Sequence, residues 1–526
     1  MIRITCKNLF PLLLLLLVCS GAANPRPVKV TDLSGLPYSS PEDQGISSES
    51  ILNLLHSIAM SGQEFHSLII QRNGHIITEA YWNPYQADDT QQLYSLSKSF
   101  TSTAIGFAVD EGLVSVEDPV IKFFPENLPD TISDNLANLK VKHLLSMSVG
   151  HAQDAIRILE ASPKGRPWAT TFLSLPVVFE PGTQFMYNSG ASYMLAAIVQ
   201  KVTVQSAHEY LKPRLYEPLG IVNATWTTND EGVNMGASHL RLSTKDISKF
   251  GQFYLQQGKW KGIQLLSRNW IRDATSKQIS NGNNDNSWGY GYGYQFWLNP
   301  PGGFRADGAF GQFSMVLPDQ NMVVNITSES SDTKKTMQLI WDFVRQIKTN
   351  TPLTANKEDN DRLAKQLESL KFDTPKGMTR SSNSANISGK EFILDNNVFD
   401  ARSVSFDIQD KEIVFTLKTG NKPDISIQCG INEWLTGENL KPEAHSLFSL
   451  RRIDFDSKVA ATAIWQDDQT LVIEWRFIET VHGDQLVCKF NGDQVNIKFR
   501  FSVARLRNEA DERADLNGQS WLKKSN

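Results

Sequence analysis

The stretch "LYSLSKSFTSTAIGFAVDEGLV", Leu93–Val114, is where the reading of this chain turns. Leu96, Phe100, Ala104, Phe107 and Ala108 recur at the 3.6-residue spacing of a helix, and Gly112 supplies a stop. The helix is apolar enough that it is expected to run through the core. Ser95 and Lys98 stand one turn apart near its start, a spacing that puts both side chains on one face. A hydroxyl at a helix N-terminus faces free N–H groups, which favour negative charge. A lysine on a buried helix loses solvation, so its pKa falls and it can accept a proton. These are the conditions for an activated serine nucleophile. The same Ser-x-x-Lys spacing occurs at Ser331/Lys334, beside a charged helix start, and at Ser520/Lys523, in a polar terminal stretch. The buried-helix context, not the spacing, singles out Ser95.

Around this helix the pattern alternates between helix and strand from about Leu36 to Lys348. "SLIIQRNGHIITEAYW" (Ser67–Trp82) reads as two strands joined at Asn73-Gly74, a strong hairpin signal. A long, mostly helical stretch follows. Strands return at Tyr290–Leu298, Phe310–Pro318 and Asn321–Ser328, and a helix over Lys334–Lys348 closes the region. Strands at both ends with helices between predict an α+β fold: one antiparallel sheet flanked by helices, plus a helical lobe. A polar stretch, 350–390, reads as a linker with a short charged helix, Asp359–Leu370. Beyond it, segments such as "KVAATAIWQDDQTLVIEWRF" alternate with period 2 and break at turn residues, predicting a small all-β barrel or sandwich. The expected division is a signal peptide over 1–23, a first domain over 24–349, the linker, a β domain over 391–507 and a polar, fraying tail over 508–526. The polar linker also predicts that the β domain is separable.

The N-terminus carries Arg3 and Lys7, an apolar run from Leu9 to Cys19, and the small residues of "CSGAAN". That is the layout of a secretory signal peptide cleaved after Ala22 or Ala23, so the chain is expected to be exported, periplasmic or extracellular. A lipoprotein reading, with acylation at Cys19, is disfavoured because Val18 is bulkier than the small residue usual before such a cysteine. The net charge of −5 gives nucleic-acid binding no electrostatic support. No apolar run reaches the length of a membrane span. No histidine/cysteine cluster has zinc spacing, so neither a metal nor an organic cofactor is expected. Cys429 and Cys488 lie on strand-like segments, and either a disulfide or two buried thiols is compatible with export. The sequence does not fix the oligomeric state.

Two further stretches bear on chemistry. In "EPGTQFMYNSGASYMLAAIVQKVT" (Glu180–Thr203), Tyr187 and Ser189 fall on the loop before a helix from about Ser192. A tyrosine near a lysine ammonium ionises more easily and can shuttle a proton; a packed loop tyrosine is the plainer alternative. In "FRADGAFGQFSMVLP" (Phe304–Pro318), Gly308, Ala309 and Gly311 let a backbone or ligand approach closely. Trp288, in "SWGYGYGYQFW", is placed either to wall a pocket or to pack on the sheet. His151, in "SVGHA", is read as structural or as a pocket-lining residue. No Gly-x-Ser-x-Gly elbow is present, which disfavours an α/β-hydrolase.

In combination these pieces resemble the serine β-lactamase and penicillin-binding-protein superfamily, in its class C-like branch of esterases, amidases and D-amino-acid peptidases. The resemblance rests on Tyr94–Val120, Val141–His151, Glu180–Thr203, Leu215–Ile221, Trp288–Trp297 and Gly308–Thr327, in the family's order. It implies a β-lactamase/transpeptidase-like first domain, with Ser95 as nucleophile, Lys98 as its base and Tyr187 as proton shuttle. It implies an oxyanion hole built from the backbone N–H groups of Ser95 and Ala309, and substrate contacts from Ser189, Ala306, Gly308 and Trp288. Two departures stand out. Ser189 replaces the Asn of Tyr-x-Asn, and Ala306-Asp307-Gly308 lacks the Lys or His that opens the third motif. Arg305 is adjacent to that position, but neighbouring strand residues point to opposite faces. The expectation is therefore a serine hydrolase acting on an ester, amide or peptide-like bond in a small-molecule or peptide-like substrate, rather than a true β-lactamase. The alternative is a catalytically silent binding or sensor protein that keeps the fold.

Overall fold

The Asn73-Gly74 turn does what its sequence predicts. Both residues adopt positive φ, 51° and 77°, the left-handed pair that matches the twist of a two-residue hairpin. It joins β1 (Phe65–Arg72) to β2 (His75–Tyr81), with Arg72 opposite His75. In the computed structural model, which describes residues 35–282, 287–300, 302–440 and 457–520, this hairpin forms one end of a six-stranded sheet. The remaining strands are β3 (Trp297–Leu298), β4 (Phe304–Gly308), β5 (Gln312–Leu317) and β6 (Met322–Ser328), in the order β2-β1-β6-β5-β4-β3. β1 pairs antiparallel with β6, Arg72 against Met322 and Ser67 against Thr327, so the two ends of the region meet as expected.

All eight residues of β1 are buried, because both faces of the sheet are covered. On one face lie α1 (Ser48–Ser61) and α5 (Thr333–Arg345), whose Ile51, Leu55, Ile340 and Trp341 pack with Leu68, Ile70, Met315 and Val324. On the other face Phe250 and Phe253 of α4 (Thr244–Leu255) belong to a larger core with Val316, Val323 and the helical lobe. That lobe contains α2 (Ser97–Asp110) and α3 (Ser189–Thr203). Twelve of the fourteen residues of α2 are buried, Ser97 to Ala108, and the small hydroxyl side chains among them, such as Ser99, Thr101 and Thr103, are accommodated by donating to backbone carbonyls.

The segment 290–298, expected as a strand, is largely not one: only Trp297 and Leu298 pair in the sheet. Gln295 takes φ 65°, and a side chain on Gly293 would lie 2.1 Å from the Ala274 carbonyl, so the run turns tightly against the lobe.

The all-β region closes into a barrel. Its strands are β7 (Glu391–Leu394), β8 (Ala401–Ile408), β9 (Glu412–Thr419), β10 (Ile425–Ile431), β11 (Leu435–Leu440), β12 (Ser457–Asp467), β13 (Thr470–Phe477), β14 (Gly483–Asn491), β15 (Gln494–Phe501) and β16 (Leu516–Ser520). The order is β10-β9-β8-β7-β16-β15-β14-β13-β12-β11, and a parallel pairing of Gly430 with Thr462 joins β10 to β12. The interior holds Phe406, Phe415, Trp465, Trp475 and Phe490, with Cys429 and Cys488 as buried free thiols. Residues 508–526, expected as a fraying tail, instead contribute β16 between β7 and β15. It escapes notice because only Leu516, Gly518 and Ser520 face inward. Residues 521–526 lie outside the described residues, as does the expected signal peptide with Cys19.

The described residues from Leu36 onward form one unit. The stretch 350–390 carries α6 (Lys357–Glu368), whose Leu363 is buried in the core beneath α1. Every residue of β13 is buried. Leu471, Ile473, Trp475 and Phe477 fill the barrel, while Arg476 on the opposite side meets Glu64 at 2.5 Å. Tyr85, Ala460 and Ile478 form a small apolar cluster at the same junction. No helix among the described residues is long and apolar enough to cross a membrane.

Candidate active site

Ser95 sits in a short 3-10 turn, Tyr94–Leu96, that leads directly into α2. Lys98 follows on the first turn of α2 and is only 2% exposed. Its Nζ donates to Ser95 Oγ at 3.0 Å and to the Ala237 carbonyl at 2.9 Å. Burial drives its pKa down to about 7, against the pull of the Asp154 and Asp307 carboxylates. At neutral pH a large share of Lys98 is thus an uncharged amine facing the serine hydroxyl, able to take its proton.

Tyr187 arrives from the loop before α3. Its hydroxyl is hydrogen-bonded to Ser95, and Lys98 Nζ lies 4.9 Å from the centre of its ring. The ring stacks on Trp297 at 5.6 Å, which fixes its plane. The expectation that Tyr187 ionises easily does not hold. Burial pushes its pKa above the ordinary tyrosine value, outweighing the Ser95 hydrogen bond, so it remains a phenol and a proton donor. The proton-accepting position falls to Lys98.

The start of α3 is held by two groups the sequence did not mark. Asn188 caps the helix, accepting from Ala191 N–H, and its amide contacts His151 Nδ1 at 3.2 Å. His151 is buried, which pushes its pKa down to about 4, and it is part of this scaffold. Asp154 accepts the Ser189 N–H at 2.8 Å, placing a carboxylate at the helix N-terminus, where the dipole favours it. Only the position three residues beyond His151, on a loop rich in small residues, hinted at Asp154.

Gly308 ends β4 beside the serine. A side chain there would lie 2.2 Å from the Leu93 carbonyl and 3.2 Å from the Leu96 nitrogen, so only glycine lets the strand come this close. Ala309 follows this glycine directly in the chain and is exposed. Ala306 and Trp288 are placed differently. Ala306 is 2% exposed and belongs to the apolar core of the lobe. Trp288 donates its indole N–H to Asp307 at 2.9 Å. Arg305 is fully buried, bonded to Asp307 at 2.9 Å and to Asn299 at 3.1 Å, so it does not substitute for the missing third-motif cation. Burial nudges the Asp307 pKa up even so.

Ser95, Lys98 and Ser189 open onto one cavity of about 1140 Å³. Its walls carry both signs of charge, Arg157, Lys164 and Arg166 against Glu160, Asp230 and Glu231. One wall comes from the barrel, through Phe477, Thr480 and His482. Nothing in the sequence pointed to those three, because they lie nearly four hundred residues beyond the serine. Among the described residues no group of three or more His, Cys, Asp or Glu side chains could hold a metal ion.

Comparison with known proteins gives a match to the family model described as Beta-lactamase over residues 66–349. The chain is 24% identical to the 6-aminohexanoate-dimer hydrolase of Paenarthrobacter ureafaciens, covering 40% of this chain and 56% of that protein. It is 25% identical to the lovastatin esterase of Penicillium rubens, covering 27% and 40%. The chain thus spans about half the length of these curated relatives. Among solved structures, the octameric penicillin-binding protein homologue from Pyrococcus abyssi aligns over 89% of this chain and 99% of that one, at 15% identity and a TM-score of 0.46.

Proposed function

This chain belongs to the Beta-lactamase family, matched over more than half of its 526 residues, and from that premise we propose that it is an exported serine hydrolase that cleaves an ester, amide or peptide-like bond through an acyl-enzyme on Ser95. Hydrolases of esterase and amidase type are among its relatives. The observation that carries the reading is the 3.0 Å separation of Lys98 Nζ and Ser95 Oγ, with the lysine pKa lowered to about 7.

In the proposed cycle Ser95 Oγ attacks the substrate carbonyl carbon and its proton passes to Lys98. The N–H groups of Ser95 and Ala309 hold the oxyanion. The bond to the leaving oxygen or nitrogen then breaks, and Tyr187 supplies its proton and is reprotonated from Lys98. Water, activated by the same groups, attacks the acyl-enzyme, releases the acid and returns Ser95 to its resting state. Export rests on the N-terminal run and is checked by sequencing the mature N-terminus, expected at Ala23 or Asn24.

The test is labelling with a fluorophosphonate, location of the adduct by mass spectrometry, and a screen of short-chain esters, β-lactams and D-amino-acid peptides on the same preparation. An adduct on Ser95 with turnover of at least one class is expected. Neither labelling nor turnover would leave the silent binding protein as the better reading.

A further inference from the structure

Of the barrel residues that wall the cavity, His482 also contacts the turn that carries Ser95. His482 Nε2 lies 2.5 Å from the Tyr94 hydroxyl, and its Nδ1 lies 2.5 Å from Glu329 Oε1. One imidazole thus bridges the Tyr94 phenol and the Glu329 carboxylate. Glu329 is 1% exposed and is fixed in turn by Ser502 Oγ at 2.6 Å. The chain Ser502–Glu329–His482–Tyr94 therefore runs from the barrel, through the end of the central sheet, to the residue immediately before Ser95.

Two backbone conformations make this placement informative. Tyr94 and Phe310 both adopt left-handed backbone, at φ 49° and 62°. Bulky residues hold such conformations only where the surroundings over-determine them. Tyr94 directly precedes Ser95, and Phe310 directly follows Ala309. The two strained residues thus flank the two N–H groups assigned to the oxyanion. Their rings meet edge to face at 5.3 Å, and the His482 ring packs on Phe310 at 4.8 Å and on Tyr94 at 6.0 Å. One imidazole touches both.

We propose that His482, contributed by the C-terminal barrel, is a positioning residue for the oxyanion hole, holding Tyr94 and Phe310 so that the Ser95 and Ala309 N–H groups converge. The inference rests on the reading of Ser95 as nucleophile and Ala309 as its partner donor. On this account the barrel completes the active site rather than merely following it. The N–H groups face the developing oxyanion more than the bound substrate, so loss of the clamp acts on kcat and little on KM.

The test uses the full chain and three variants: Tyr94→Phe, His482→Ala and the double variant. Fluorophosphonate labelling at Ser95, kcat and KM on a p-nitrophenyl ester, and Tm are measured for each. Tyr94→Phe removes one oxygen and is expected to lower kcat about tenfold, with KM changed less than about threefold. His482→Ala is expected to lower kcat about 10²-fold, and the double variant to be no worse, because both changes break one contact chain. His482→Gln, whose amide can accept from Tyr94 and donate to Glu329, is expected to recover much of the loss. A Tyr94→Phe enzyme with kcat within about twofold of the wild type overturns the proposal, even if His482→Ala does not fold; so do losses that multiply in the double variant. If the wild type itself is not labelled at Ser95, the proposed function fails first; normal wild-type labelling with unchanged variants sinks only this inference.

Discussion

Lys98 Nζ and Ser95 Oγ lie 3.0 Å apart across one turn of a helix whose lysine is 2% exposed. A lysine placed there without a carboxylate in contact has no route to full charge except at the cost of its own burial, and its lowered pKa expresses that cost.

Ser95→Ala removes the proposed attacking oxygen and little else. It is expected to abolish both fluorophosphonate labelling and turnover, with Tm within a few degrees of the wild type. Undiminished activity in this variant would sink the mechanism.

Lys98→Met and Tyr187→Phe each remove a proposed proton-transfer group, and each is expected to slow acylation about 10²-fold or more. Single-turnover rates measure this directly. A near-normal rate in Lys98→Met would mean that the base lies elsewhere.

The lowered Lys98 pKa sets the pH dependence. Activity needs the neutral amine, so kcat/KM is expected to rise with pH through about 7 and to level off above it. Tyr187, raised by burial, stays a donor across that range. A profile flat between pH 5 and 9 for the wild type would separate Lys98 from the rate.

Substrate choice follows from the third-motif strand. Arg305 is buried against Asp307, and Ala306 faces the core, so β4 offers no cation to a substrate carboxylate. An unpaired carboxylate at that place is costly. The kcat/KM for a p-nitrophenyl acyl ester is expected to exceed that for a chromogenic cephalosporin. Ala306→Lys, which would supply the family's cation were the position open to the cleft, is instead expected to lower stability by burying an ammonium among apolar side chains. A cephalosporin preference in the wild type would contradict this reading of the strand.

The junction with the barrel carries stability as well as geometry. Arg476→Met leaves Glu64 and Glu329 without their guanidinium. The expected loss is about 3 kcal/mol by denaturant unfolding, at the low end for a buried pair, because Glu64 keeps 22% of its side chain exposed. Burial alone would raise the Glu64 pKa, but Arg476 and His66 hold it down to about 2. A carboxylate depressed in the folded state stabilises above its unfolded value, near 4.5, and that contribution fades as pH falls toward 2. The acid limb of wild-type stability should be flatter in Arg476→Met. A loss below about 1 kcal/mol would mean that the two parts dock without this pair.

Local pattern carried a good deal of this protein by itself. The Asn73-Gly74 hairpin, the apolar helix behind Ser95 and the alternating strands after residue 391 are each settled by backbone preference and burial period, which act within a few residues. The serine and lysine were legible for the same reason, since one helical turn sets their spacing. What the sequence could not disclose depends on contacts between distant segments. Polar "LNGQS" is a barrel strand because neighbouring strands supply its hydrogen bonds. Tyr187 is a donor rather than an anion because the lobe buries it. Asp307 and Arg305 share a face of β4 by strand alternation, but that the pair is buried and unavailable to substrate is decided by the distant Ser287–Trp288 segment that bonds to both. His482 stands against Tyr94 only because the barrel docks on the first domain, where Glu474 and Arg476 of β13 look like solvent-facing polar positions until another surface covers them. Periodicity reports which face of a strand is apolar, while the partner that covers the polar face is chosen by the tertiary fold.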